Sequence, residues 1–85
     1  MRIWVHPRIT AKRPEVTDED VVAAFAGTLR KVPRVDTDPT QWIGIGVDSR
    51  GRLLEYVAVE DGLDWIVFHA MRATKRAFRE TGVEG

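Results

Sequence analysis

Hydrophobic and polar positions alternate along three runs between residues 41 and 70, and each run is rich in β-branched and aromatic side chains. Two short segments that contain glycine, residues 49–51 and 60–62, separate the runs. A two-residue period interrupted by turn-forming residues is typical of paired strands. The pattern therefore predicts an antiparallel meander.

The first turn of this meander carries its own register signal. Asp48 suits the opening position of a type I turn, and Gly51 suits the left-handed position of a three-residue hairpin with a bulge. The predicted partners across the turn are Val47 with Leu53, Ile45 with Glu55, and Ile43 with Val57. A slip of one residue would mix these aliphatic side chains with glycines, so burial favours this register.

This register gives the sheet two different faces. The predicted core face holds Ile43, Ile45, Val47, Leu53, Val57, Val59, Ile66 and Phe68. The opposite face holds Trp42, Gly44, Gly46, Leu54, Tyr56, Ala58, Trp65, Val67 and His69. Either Tyr56 covers the two glycines, or their open backbone admits another molecule. Glu55 falls on the core face, where it needs a basic partner or a place at the sheet margin.

Two helices flank the meander. Thr17 and Asp20 form a capping-box pattern, which starts a helix that runs to about Leu29. The acidic side chains in its first turn favour the positive end of the helix dipole, which explains them without a metal ion. A second helix covers about residues 71–81, and Gly82 ends it.

These elements predict one α+β domain over residues 1–85. We expect an antiparallel sheet of three or four strands, in which residues 2–5 or 32–39 supply an edge strand. The N-terminal and C-terminal helices would both pack on the aliphatic face of this sheet.

Composition narrows the class of protein. The chain has no cysteine, so it has no disulfide, no thiolate zinc site and no cysteine nucleophile. No apolar run has the length of a membrane span and the N-terminus lacks a signal peptide's apolar region, so we expect a cytoplasmic protein. Its 13 basic and 13 acidic residues balance, so bulk charge does not support a nucleic-acid partner.

A local group of basic residues and histidines is the main chemical signal. Its members are His69, Arg72, Lys75 and Arg76 near the C-terminus, and His6, Lys12 and Arg13 in the N-terminal segment. Cleavage of RNA needs a base for the 2′-hydroxyl, cations for the phosphorane and an acid for the leaving oxygen. The structural alternative is a solvated basic helix beside an ordinary surface histidine.

Three segments resemble BrnT-type toxins. They are Trp4 to Asp20 with its Lys12-Arg13-Pro14-Glu15-Val16-Thr17 core, Gly51-Arg52-Leu53-Leu54, and His69-Ala70-Met71-Arg72-Ala73-Thr74. The resemblance implies a small ribonuclease of the RelE-like superfamily, which needs no metal or cofactor. It also implies a bacterial cytoplasmic toxin whose partners are RNA and an antitoxin encoded nearby. No membrane partner is implied, and DNA would be reached only through the antitoxin.

The chain departs from the family's pattern at several positions. These are Met71 at the family's arginine, His69 at its serine, Thr40 and Gln41 at its Glu-Arg pair, and Pro14 at its histidine. One interpretation is that catalysis has moved onto other residues of this chain. The other is that catalysis has been lost, and that the fold serves as a protein-interaction domain through exposed tryptophans.

On the first interpretation, each member of the basic group has a role. His69 is the general acid or base, with Arg72 and Lys12 as catalytic cations. The expected RNA contacts are Arg13, Lys75 and Arg76 to phosphate, and Tyr56 and Trp65 as platforms on which bases stack.

Overall fold

The computed structural model describes residues 1–84 and contains, over that range, five strands and three helices. The strands are β1 (Ile3–Val5), β2 (Thr28–Arg34), β3 (Gln41–Val47), β4 (Leu53–Asp61) and β5 (Asp64–Arg72). The helices are α1 (Arg8–Lys12), α2 (Asp18–Ala26) and α3 (Lys75–Thr81). None of these three helices is long and apolar enough to cross a membrane.

The strands form one mixed sheet in the order β1-β5-β4-β3-β2. The antiparallel meander is confirmed for β3, β4 and β5, and β2 extends it on one side. The predicted register of β3 on β4 is also confirmed, and Gly51 has a φ of 77°. However, β1 pairs with β5 in parallel, so the expectation of a wholly antiparallel sheet of three or four strands is wrong.

Both long helices are shorter than the sequence pattern indicated. The first ends at Ala26, with Gly27 as its C-cap, and the following residues pair with β3 as strand β2. The second begins only after Thr74, because residues 71 and 72 continue β5 and pair with β4. The predicted Gly82 end is confirmed, since Gly82 adopts the left-handed conformation with a φ of 78°.

Helices cover both faces of the sheet, so the prediction that they share the aliphatic face is wrong. α1 and α2 lie on the Tyr56 face, where the larger hydrophobic cluster forms. Its buried members are Ile9, Val16, Val21, Ala24, Phe25, Leu54, Tyr56, Ala58, Val67 and Ala70. α3 lies on the aliphatic face, where Ala77 packs with Ile43 and Ile45.

Glycines in β3 allow this close packing. A side chain on Gly46 would overlap the carbonyl group of Ala24 in α2, and one on Gly44 would overlap the ring of Tyr56. Tyr56 is completely buried, and its hydroxyl lies 2.6 Å from that of Thr28. Of the two alternatives for this face, the structure therefore has the one in which Tyr56 and α2 cover the glycines.

A β-bulge in β5 changes which side chains share a face. Ala58 pairs with Val67, but the next residue of β4, Val57, pairs with His69, so Phe68 is an extra residue. Because one inserted residue reverses the alternation beyond it, His69 lies on the α3 face. Its predicted place beside Tyr56 is wrong.

The hairpin between β3 and β4 is fastened to the start of α2 through Asp20. The predicted capping box is confirmed, and Asp20 is only 1% exposed. Its carboxylate accepts hydrogen bonds from Ser49 at 2.7 Å, Arg50 at 2.5 Å and Arg52 at 3.1 Å. The Arg50 guanidinium lowers the pKa of Asp20 far below its usual range, although burial opposes the shift. The carboxylate is thus a structural anion.

Replacing this anion should destabilise the fold. We expect Asp20→Asn to lower the free energy of unfolding by roughly 3 kcal/mol, because the neutral amide leaves the guanidinium groups of Arg50 and Arg52 without their buried counter-ion. The contribution exists above the unfolded-state pKa of about 4 and is lost as the pH falls from there. Urea denaturation between pH 2 and 7 should therefore show wild type and variant converging in acid. Glu19→Gln, at an exposed position of the same turn, is the control; a constant gap at all pH values would contradict this account.

Candidate active site

Two clefts meet on one side of the sheet, next to His69. The first has a volume of about 370 Å³ and lies between β5 and α3. The second has a volume of about 270 Å³ and lies between β5 and α1. Arg8, Phe68 and His69 line both clefts, so these three residues form the ridge that divides them.

The position of this ridge follows from the parallel pairing of β1. Because β1 runs beside β5, the chain leaves β1 near the bulge, and α1 begins there at Arg8. The Nε atom of Arg8 donates a hydrogen bond to the carbonyl oxygen of Phe68 at 2.9 Å. Its guanidinium carbon lies 5.5 Å from the centre of the Phe68 ring. Arg8 is therefore held over the bulge by both polar and cation–π contacts.

His69 forms a pair with a buried carboxylate. Its Nε2 atom lies 3.0 Å from Oε2 of Glu55, and its side chain is 31% exposed against 10% for that of Glu55. The other carboxylate oxygen, Oε1, accepts two hydrogen bonds from Thr74: one from the backbone N–H at 3.0 Å and one from the hydroxyl at 2.6 Å. The imidazole is thus oriented from inside the protein while one side of it faces solvent.

Opposing effects act on the pKa of Glu55. Burial raises this pKa, but hydrogen bonds from Thr74 and His69 lower it by more, and the net result lies below the usual value. Glu55 therefore stays ionised near neutral pH. An ionised carboxylate that is buried and hydrogen-bonded can both hold the imidazole in place and stabilise its protonated form.

Basic side chains line both clefts, and in the first cleft one of them is ion-paired. In the first cleft Arg34 forms a two-point ion pair with Glu80, at 2.7 and 3.1 Å. This pair lowers the pKa of Glu80 and raises that of Arg34. Arg76 lies on the exposed side of α3 and lines the same cleft. The second cleft combines Arg8 with Lys12 and Arg13.

The structure assembles only part of the predicted site. His69, Lys12 and Arg13 line the second cleft, and Arg76 lines the first. Arg72 pairs with Leu54 and so lies on the opposite face from His69, which makes the predicted grouping of these two residues wrong.

The remaining predicted RNA contacts lie away from the clefts. Lys75 begins α3 as an exposed residue and lines neither cleft. Tyr56 cannot offer its ring to a base because α2 buries it, so that prediction is wrong. Trp65 lies on the same face as Tyr56, where its ring packs 5.3 Å from that of Phe25 and 4.3 Å from the Lys31 ammonium.

Several residues of the site were not among the predicted ones. They are Arg8, Glu55, Phe68 and Thr74. Glu55 had a usable signal, because an acid among aliphatic side chains needs a partner. Arg8 depends on the parallel strand β1 and Phe68 on the bulge, and neither feature leaves a turn residue in the local sequence. Thr74 is the N-cap of α3, and the sequence pattern placed the start of that helix too early to show it.

Searches against protein families, curated proteins and solved structures gave no match to this chain. Among residues 1–84, no three or more histidine, cysteine, aspartate or glutamate side chains are grouped so that they could hold a metal ion.

The hydroxyl of Thr74 should control the ionisation of Glu55. Thr74→Val removes the 2.6 Å hydrogen bond, and because that bond lowers the pKa of Glu55, the pKa should rise. The same change removes the side-chain cap of α3, so the free energy of unfolding should fall by about 1 kcal/mol. Carboxyl NMR titration of Glu55 measures the first effect and urea denaturation the second. Thr74→Ser, which keeps the hydroxyl, is the control; an unchanged Glu55 titration in Thr74→Val would refute the assignment.

Proposed function

We propose that this protein cleaves RNA by metal-independent transfer of a phosphodiester to the neighbouring 2′-hydroxyl. The observation that carries the proposal is the His69–Glu55 pair, 3.0 Å apart, between two clefts lined by arginine and lysine. A partly exposed imidazole oriented by a carboxylate is a suitable general acid–base group.

The imidazole carries the proton in both steps of the reaction. Because Nε2 faces Glu55, Nδ1 is the atom that accepts the proton of the 2′-hydroxyl. The 2′-oxygen attacks phosphorus, and the resulting imidazolium is stabilised by the Glu55 carboxylate. His69 then gives the proton to the departing 5′-oxygen, which leaves a 2′,3′-cyclic phosphate and a 5′-hydroxyl. Glu55 is a positioning residue, since both of its carboxylate oxygens are engaged by His69 and Thr74.

The basic side chains of the clefts stabilise the phosphorane and bind the flanking phosphates. Arg8 stands next to His69 on the ridge, and its terminal nitrogens neutralise the charge that develops on the phosphorane. Arg76 contacts a phosphate on one side, and Lys12 and Arg13 contact phosphates on the other. Arg34 is held by Glu80 and shapes the first cleft.

Removing either member of the pair should impair cleavage. We expect His69→Ala to slow single-turnover cleavage of a fluorescent RNA by roughly 10²- to 10⁴-fold, and Glu55→Gln by a smaller factor. Arg72→Ala and Lys75→Ala, outside both clefts, should cleave like wild type. The same oligonucleotide with a 2′-deoxy group at the scissile position should stay intact, and EDTA should not affect the rate. Full activity of His69→Ala would exclude this site.

On the basis of its resemblance to BrnT-type toxins, we place the activity in the bacterial cytoplasm. There the protein would slow growth by cutting RNA until an antitoxin encoded nearby binds it. The contact with DNA, if the complex represses its own gene, belongs to the antitoxin.

One observation favours a second candidate, a non-catalytic protein-interaction domain. Trp4 is 46% exposed in the edge strand β1, and with Ile66 it lines a third cleft of about 420 Å³. An exposed tryptophan beside an apolar cleft is a common anchor for a protein partner. The other two tryptophans, Trp42 and Trp65, pack against each other with ring centres 6.2 Å apart.

Growth of bacteria after induction separates the two candidates. If cleavage is the activity, wild type and Trp4→Ala should arrest growth, and His69→Ala should not. If partner binding is the activity, wild type and His69→Ala should arrest growth and Trp4→Ala should not, because the Trp4 cleft is a separate surface from the His69 clefts. Immunoblots must show equal amounts of the three proteins.

A further inference from the structure

We infer that Phe68 and Arg8 form a stacking site for one unpaired base of the RNA, next to the phosphate that reacts at His69. This inference rests on the proposed function and deepens it. It makes the substrate single-stranded RNA, and it assigns base contact to residues other than Tyr56 and Trp65.

The position of Phe68 is the first argument. It lines both clefts together with His69, so a nucleotide whose phosphate lies at the imidazole has its base within reach of the ring. As the extra residue of the bulge, Phe68 has no partner on β4 that fixes its side chain within a cross-strand pair. Bulges often aim a side chain at a functional site.

The burial of Phe68 is the second argument. Both hydrophobic clusters of the described chain form without it, and its side chain is only half-buried. Phe25, by contrast, is a member of the larger cluster and 6% exposed. A half-buried aromatic ring among cations offers a flat apolar surface beside groups that can bind phosphate. Stacking on such a ring is worth roughly tenfold to a hundredfold in affinity per base.

Arg8 extends this surface. Its guanidinium lies 5.5 Å from the ring centre and is fixed by the hydrogen bond from Nε to the Phe68 carbonyl oxygen. A base that stacks here therefore joins two planar groups already in contact, and the ordering cost of Arg8 has been met within the free protein. The terminal nitrogens of Arg8 remain available for phosphate.

This geometry selects single-stranded RNA. In an A-form duplex each base is stacked between its neighbours and its ring faces are covered. Only a base outside such a helix can present a face to a side chain on the ridge. Loops and unpaired ends are therefore the expected targets, and the identity of the base matters less than its exposure.

The test measures binding, so it does not depend on cleavage. A fluorescent single-stranded oligonucleotide with 2′-deoxy groups at every position, which cannot be cleaved by this route, is compared with two versions of itself. Each version lacks one of the two bases that flank the central phosphate. Phe68→Leu should bind the intact strand roughly tenfold more weakly than wild type does, whereas Phe68→Trp should bind it equally well. For one of the two abasic strands, Phe68→Leu and wild type should bind alike.

A matched control is Trp4→Leu, which removes an exposed aromatic ring outside both clefts and should leave all affinities unchanged. An equal loss for Phe68→Leu on intact and both abasic strands would overturn the stacking site, because the change would then act through the fold. No loss on any strand would overturn it as well. A wild type that binds with this base dependence but cuts no RNA would refute the proposed function alone.

Discussion

The extra residue in β5, Phe68, determines which side chains of this strand face each side of the sheet. Before the bulge, Val67 faces the α2 core together with Ala58; beyond it, Ala70 faces Tyr56 in the same core. Regular alternation would have placed His69 in that core and Ala70 outside it. An imidazole there would lose water without gaining a partner, whereas alanine fits. The bulge thus places Ala70 in the α2 core and brings His69 to the carboxylate of Glu55 on the other face.

Glu55 is the carboxylate to which the bulge brings His69. A carboxylate among aliphatic side chains is costly unless it is fully hydrogen-bonded. Its partners come from β5 through His69 and from the start of α3 through Thr74, so the same group joins sheet to helix and orients the imidazole. Asp20 is buried to a similar degree, but its partners include two arginines that hold a hairpin. The two buried carboxylates thus differ in their partners: arginines for Asp20, and a histidine and a threonine for Glu55.

Sequence reasoning succeeded where a feature depends on neighbouring residues. Asp48 and Gly51 determine a turn, and the turn determines the register of β3 on β4. It failed where distant segments decide. The bulge at Phe68 carries no glycine or proline, so a two-residue period extended through it put His69 on the wrong face. Glu55 was therefore left out of the predicted site, although its need for a partner was visible. Arg72 was included for a different reason: the C-terminal helix was expected to begin at residue 71, whereas Arg72 still belongs to β5.

The distribution of charge explains how a chain with no net charge can offer clefts rich in cations. Where the hairpin meets α2, Asp20 and Asp48 are paired with Arg50 and Arg52, so these two acids and two bases do not contribute to the charge of the clefts. At the first cleft, Glu80 is neutralised by Arg34, and Glu55 faces the imidazole. Arg8 and Arg76, together with the bases of the second cleft, therefore set the local potential. For recognition of an anion, the charges left over after internal pairing matter more than the sum over the chain.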